Sequence, residues 1–178
     1  MGIMRGIPTM TVVEPSDIVM LKKLLPQIAE TYGMFYMRLV RKDVRKIYEE
    51  GSSFEIGKAA RLTEGEDVAI IASGFCVAEA LDAVEMLKAE GIHARLLDMF
   101  TWKPLDEEAV LWAAKTGAVV TAENHNVVNG LGSAVSCLLA GTKPTVVEMV
   151  GIQDEFGEVG PVSYLRERFG LTAEHIVK

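Results

Sequence analysis

Short continuous apolar runs alternate with stretches in which apolar residues recur every three or four positions, from residue 66 to the carboxy terminus. The run Val68, Ala69, Ile70, Ile71, Ala72 has no polar interruption. A strand covered on both faces needs apolar residues at every position, so this run reads as a central strand of a parallel sheet. The spacing of Val77, Leu81, Val84 and Leu87 predicts a helix over 75–90 with one core face, closed by Gly91. Further strands are predicted at 92–99, 118–122 and 145–150, and further helices at 107–115, 130–140, 162–169 and 171–177. Asp106 and Thr172 stand at capping positions, Glu174 lies in the first turn of the last helix, and Pro161 precedes the helix at 162. The segment 101–106 reads as a loop. Strand–helix alternation of this kind predicts an α/β fold, a doubly wound and mostly parallel sheet with helices on both faces.

The first part of the chain has the same grammar on a smaller scale. Met10 to Val13 is a β-type run, and Glu14-Pro15 ends it. Ser16 or Asp17 caps a helix running to about Tyr32, with Leu21, Leu24, Leu25, Ile28 and Ala29 on its apolar face. Pro26 falls inside it and predicts a kink or a break. Gly33 stops it, and 34–40 is a second strand, followed at once by Arg41 and Lys42. One helix does not cover both faces of two short strands. Residues 1–42 are therefore expected to be the end of a larger α/β domain, 43–65 a linker with a short strand at 54–56, and 66–178 a second α/β domain.

Composition narrows the function. The chain has 178 residues, 49% hydrophobic and 24% charged, with a formal net charge of −7. With no Lys/Arg run, nucleic acid is not an expected partner. No apolar run approaches the ~20 residues of a membrane span. The first six residues lack a signal-peptide pattern. Two cysteines, Cys76 and Cys137, lie far apart in apolar helical contexts and read as small hydrophobes. The expected location is cytoplasmic.

Polar residues concentrate at Glu123, Asn124, His125, Asn126 and Asn129, between a strand and the helix that Gly130-Leu131-Gly132-Ser133 opens. A helix N-terminus after a strand offers unpaired N–H groups to an anion. Gly130 and Gly132 are not a dinucleotide fingerprint, because Val135 holds the third glycine position. They serve either a phosphate or a tight turn with close helix–sheet packing. His125 reads either as a general base oriented by Glu123 or as a capping or interface histidine. The run from Gly51 to Ala59 fails as a P-loop, with five residues between its glycines and Ala59 in place of the hydroxyl. His93, His125 and His175 have no metal spacing, and the acidic loop around Asp154, Glu155 and Glu158 lacks a Ca²⁺-loop pattern. Arg41 ends an apolar strand at the carboxyl side of its sheet, where open α/β sheets bind ligands. Arg pairs bidentately with phosphate or carboxylate. Arg38, on the same face, has the alternative of pairing with an acid.

The order of these motifs resembles the carboxy-terminal half of transketolases. Four stretches carry the resemblance: Arg5-Gly-Ile-Pro8-Thr-Met10 through Pro15-Ser-Asp17, Tyr36 to Arg41, Glu123-Asn-His125-Asn with Gly130-Leu-Gly132-Ser133-Ala134-Val135, and Gly151 to Gly160 followed by Leu165 and Gly170-Leu171-Thr172. Together they span nearly the whole chain. Thr9 stands where the family usually has Asn, and Val40-Arg41-Lys42 where it often has Ser-Arg-Gln.

The resemblance implies a thiamine-diphosphate enzyme that moves a two-carbon ketol unit between sugar phosphates, as in the pentose phosphate pathway. The implied cofactors are thiamine diphosphate and Mg²⁺ in the full enzyme, with none on this chain alone. The implied partners are an amino-terminal transketolase part or subunit, a second copy in a homodimer, and a sugar phosphate. Residues 1–42 correspond to the tail of the pyrimidine-binding domain and 66–178 to the transketolase carboxy-terminal domain. No catalytic, cofactor-binding or metal residue carries over. The one substrate residue that does is Arg41, as the sugar-phosphate contact. Deoxyxylulose-phosphate synthase and 2-oxo-acid dehydrogenase beta chains share this domain order and are the alternatives, beside a non-catalytic assembly or regulatory module.

Overall fold

Alternate residues of the central strands go to opposite cores, as the continuous apolar runs require. Ala69 and Ile71 pack with Val12, Leu97, Trp102, Val110 and Leu131 on one side. Their sequence neighbours Ile70 and Ala72 pack with Val77, Ala80, Leu87, Leu96 and Leu171 on the other. Period-two side-chain alternation turns one apolar run into two buried faces.

The structure, a computed structural model, describes residues 1–41 and 44–178. A short helix α1 (Gly2–Arg5) leads to β1 (Met10–Val13), α2 (Ile18–Glu30) and β2 (Met34–Met37). Then follow β3 (Ala60–Thr63), β4 (Val68–Ala72), α3 (Cys76–Ala89), β5 (Ala94–Asp98) and β6 (Thr101–Lys103). The chain closes with α4 (Glu107–Ala113), a 3₁₀ turn (Ala114–Thr116), β7 (Ala118–Asn126), α5 (Leu131–Thr142), β8 (Val146–Ile152), α6 (Val162–Arg168) and α7 (Ala173–Val177).

Five strands form one sheet in the order β3-β5-β4-β7-β8. All its pairs are parallel except β3 with β5. The doubly wound α/β fold is thus as expected. A second sheet has the order β2-β1-β6, with β1 and β2 parallel and β6 antiparallel to β1. β6 lies shortly after β5 in the chain, so two neighbouring segments enter different sheets and tie the amino-terminal part to the larger sheet.

Several local expectations change. The loop expected at 101–106 begins with β6, because β1 offers an edge and Trp102 is buried beneath it. The strand expected at 54–56 is absent, and β3 forms at 60–63 against the edge of β5. Pro26 does not break α2, which runs on to Glu30. β2 ends at Met37 rather than at residue 40. The boundary residues Lys42 and Asp43 lie outside the described residues. Capping follows the sequence more closely. Asp17 accepts from Met20 N at 2.8 Å, Asp106 accepts from Ala109 N at 3.1 Å, and Gly117 takes φ +90° after the 3₁₀ turn.

Candidate functional site

The carboxyl ends of the parallel strands gather the buried polar residues. Glu14 follows β1, Arg38 follows β2, Ser73 and Gly74 follow β4, Asp98 ends β5, and Glu123 and Asn124 lie on β7. Strand ends are where backbone pairing stops and side chains take over.

Glu14 is 1% exposed and forms an ion pair with Arg38, whose Nε donates to Glu14 Oε1 at 2.8 Å. Its other oxygen accepts from Ser73 Oγ at 3.0 Å. Gly74, at φ +54°, passes so close that a Cβ there would run into Glu14 Oε1. Arg38 also donates from Nη1 to the Asn124 carbonyl at 2.7 Å. The acid that the sequence allowed Arg38 to pair with is therefore Glu14. Each charge is partnered, as burial requires.

Glu123 occupies the helix N-terminus that the sequence offered to a phosphate. Leu131 N donates to its Oε2 at 2.7 Å and Gly132 N to its Oε1 at 2.8 Å. The carboxylate thus fills the positive end of α5. Burial pushes its pKa up to about 7, against the lowering effect of those two N–H groups. Gly130 leaves room for the carboxylate. Gly132 lets α5 approach the sheet, since a Cβ there would lie 2.6 Å from Thr121 Oγ1 and 2.8 Å from Met149 Sδ. Turn geometry and close packing account for both glycines.

His125 does not pair with Glu123 by hydrogen bond. Its Nδ1 lies 2.7 Å from the Asn126 carbonyl and Nε2 accepts from Gly2 N at 3.2 Å. The ring stands edge-to-face with Trp102, centroids 5.7 Å apart. Burial lowers its pKa, which matches a neutral ring with a proton on Nδ1. Both nitrogens are occupied, which describes a structural histidine. Arg5 donates from Nη1 to the carbonyls of Asn129 at 2.6 Å and Gly130 at 2.9 Å, holding the same turn.

Arg41 is exposed and lies four residues beyond the end of β2. Its neighbour Val40 lines a cavity of about 520 Å³ with Phe75, Asn124, Ile152, Leu165 and Phe169. That cavity opens at the carboxyl ends of β7 and β8 and is mostly apolar. The acidic loop is engaged as surface ion pairs. Arg168 donates to Glu155 at 2.7 Å and to Glu158 at 2.8 Å. Cys76 is buried, and Cys137 lies on the exposed side of α5. Among the described residues no group of three or more His, Cys, Asp or Glu side chains is placed to hold a metal. No helix of the described residues is long and apolar enough to cross a membrane.

Two participants escape a reading by sequence. Asp98 is fully buried and accepts from Tyr48 Oη at 2.8 Å. Burial pushes its pKa up to about 7, with the Ser16 and Tyr48 hydroxyls opposing. Its one signal is a single acid inside the apolar run from Leu96 to Phe100. Glu14 has a similar signal, an acid closing the β-type run before Pro15.

These features define a doubly wound α/β module with a buried ionic clamp at its strand ends. The family described as "Transketolase, C-terminal domain" matches residues 57–176, and the chain belongs to it. It is 52% identical over 178 residues to the 6-deoxy-6-sulfo-D-fructose transketolase subunit of Clostridium sp. (strain MSTE9), covering 99% of this chain and 55% of that one. It is 42% identical to a putative transketolase C-terminal section of Methanocaldococcus jannaschii, covering 99% of this chain and 56% of that one. A solved structure described as a split gene transketolase, inactive beta4 tetramer, superposes with a TM-score of 0.93 at 43% identity, over 99% of this chain and 57% of that one. The chain thus spans a little over half the length of these relatives.

Proposed function

We propose that this chain is the carboxy-terminal part of a thiamine-diphosphate-dependent transketolase, moving a two-carbon ketol unit between sugars that end in an oxyanion. The observation that carries the reading is the match to a split gene transketolase over 99% of the chain, through both sheets. An amino-terminal part or subunit completes the enzyme, and this chain alone is inactive. Residues 1–42 belong to the tail of the pyrimidine-binding domain, and the linker expected at 43–65 gives way to the carboxy-terminal domain before its end, since β3 at 60–63 pairs in the larger sheet and the family match begins at residue 57. Copies of the chain associate, as a homodimer in the full enzyme. The relative described as an inactive beta4 tetramer supports a homotetramer in the absence of the partner.

Thiamine diphosphate and Mg²⁺ do not fit the described residues of this chain. The buried carboxylates are committed, Glu14 to Arg38 and Ser73, Asp17 to the N–H groups of Met20, Ile47 and Tyr48, Asp98 to Tyr48, Asp106 to the N–H groups of Ala59 and Ala109, and Glu123 to α5. None is free to face an aminopyrimidine ring, so no step through the cofactor is derived from them. What the chain contributes is assembly and Arg41 as the contact to the substrate's terminal oxyanion. The name of one relative contains a sulfo-sugar and that of another apulose-4-phosphate. Sulfonate and phosphate share the three-oxygen chemistry that a guanidinium recognises.

The test is reconstitution with a separately purified amino-terminal subunit, thiamine diphosphate and Mg²⁺. Ketol transfer from a ketose phosphate to an aldose phosphate is expected only in the mixture. Turnover by this chain alone overturns the reading, as does a mixture that decarboxylates pyruvate and transfers no ketol group. A mixture whose turnover does not depend on this chain marks a non-catalytic module instead.

A further inference from the structure

We propose that Arg38 is a positioning residue for Arg41, and that the clamp it makes with Glu14 and Asn124 fixes the direction in which the chain leaves β2. The proposal rests on the reading of Arg41 as the oxyanion contact.

Parallel pairing between β1 and β2 ends at Val13 and Met37, and one further rung follows, from Arg38 N to the Val13 carbonyl at 3.0 Å. Beyond it, among the described residues, Leu39, Val40 and Arg41 make no hydrogen bond. Packing holds them only in part: Leu39 is 55% exposed, while Val40, 36% exposed, rests against the cavity wall beside Asn124. The last firmly held residue before Arg41 is thus Arg38. Its planar fork reaches two elements at once, with Nε on Glu14 Oε1 at 2.8 Å and Nη1 on the Asn124 carbonyl at 2.7 Å. Glu14 is itself held by Ser73 Oγ at 3.0 Å, so the clamp joins the ends of β1, β2, β4 and β7. A guanidinium held at two edges fixes orientation as well as position, which a lysine ammonium does not. Val40 lies between the clamp and Arg41 and lines the cavity shared with Asn124. A change at Arg38 therefore reorients the short exposed stretch that carries Arg41.

The experiment uses the reconstituted assembly with Arg38→Lys, Arg41→Ala and the double variant. Substrates are ribose 5-phosphate against ribose as acceptor, and fructose 6-phosphate against 6-deoxy-6-sulfofructose as donor. Arg38→Lys is expected to raise KM for oxyanion-bearing sugars about tenfold, leaving kcat and the KM for ribose unchanged. The donor pair tells whether the oxyanion concerned is phosphate, sulfonate or both. The double variant is expected to be no worse than Arg41→Ala, because the two act through one contact. If Arg41→Ala raises KM and Arg38→Lys does not, or lowers kcat for all sugars alike, the positioning role is overturned and the Arg41 reading stands. If Arg41→Ala has no effect, the underlying reading falls and this proposal with it. Should Arg38→Lys fail to fold by circular dichroism, Glu14→Gln keeps its one carbonyl oxygen as acceptor for Arg38 and turns an NH2 donor toward Ser73 Oγ, while removing the charge. It is expected to shift the same KM in the same direction, and an unshifted KM is equally fatal to the proposal.

Discussion

The carboxylate of Glu123 and the backbone of Gly130 occupy one small space. A Cβ on Gly130 would overlap Glu123 Oε2 and lie 2.6 Å from the Asn126 carbonyl. The glycine is required by contact and not by backbone strain, since its φ is −78°. Gly130→Ala is therefore expected to displace Glu123 from the N–H groups of Leu131 and Gly132. Overpacking together with lost buried hydrogen bonds costs about 2–4 kcal/mol. Urea denaturation of the purified chain checks this, and a midpoint equal to that of the parent shows that the carboxylate is not held there.

Asp98 gives a pH dependence of defined sign. Its carboxyl titrates near 4 in the unfolded chain and is raised to about 7 in the fold. Between those values the folded state keeps a proton that the unfolded state has released. This contribution to stability is fully present below pH 4 and is lost as pH rises to 7, by an amount of the order of 2–4 kcal/mol. Asp98→Asn keeps an acceptor for Tyr48 Oη and cannot ionise. The difference in unfolding free energy, variant minus parent, is expected to rise between pH 5 and pH 8. Glu123 and His125 titrate in both proteins and cancel in that difference. A flat difference across the range means that Asp98 ionises in the fold without cost.

Pro26 sits in an exposed turn of α2 and removes one backbone donor from a helix that continues to Glu30. Pro26→Ala restores the donor to the Lys22 carbonyl and is expected to stabilise the chain by about 1–3 kcal/mol. Thermal unfolding followed by circular dichroism reads this directly. A lower midpoint would show that the proline shapes the way α2 meets its neighbours.

How much of this was readable in advance follows from where each pattern is stored. The central strands are legible because burial on both faces leaves a local mark, the unbroken run from Val68 to Ala72. Caps are legible for the same reason, since Asp17 and Asp106 act three residues away. β6 is not, because Thr101 to Lys103 become a strand only where β1, some ninety residues earlier, presents an edge. The polar clamp is equally non-local. Glu14 and Ser73 meet across 59 positions and Arg38 and Asn124 across 86, so no window of sequence contains either pair. Glu123 takes neither of the roles its sequence context offers, since it makes no hydrogen bond to His125 and its own carboxylate, eight residues before Leu131, meets the helix N-terminus where a phosphate is the alternative to a plain turn.

Arg41 separates function from stability. It is exposed, so Arg41→Ala is expected to leave unfolding within about 0.5 kcal/mol of the parent. In the reconstituted assembly it removes a charge-assisted hydrogen bond to the terminal oxyanion of the sugar, worth about 1.5–3 kcal/mol. That corresponds to a fall in kcat/KM of roughly 10- to 150-fold for phosphorylated or sulfonated sugars, and little change for sugars lacking the oxyanion. Because the guanidinium is open to solvent, the penalty should shrink as ionic strength rises, screening the parent toward the variant. Steady-state kinetics at low and high salt with matched sugars provide the measurement. An unchanged kcat/KM for the phosphorylated sugar assigns its oxyanion to residues outside this chain and leaves Arg41 a solvated side chain.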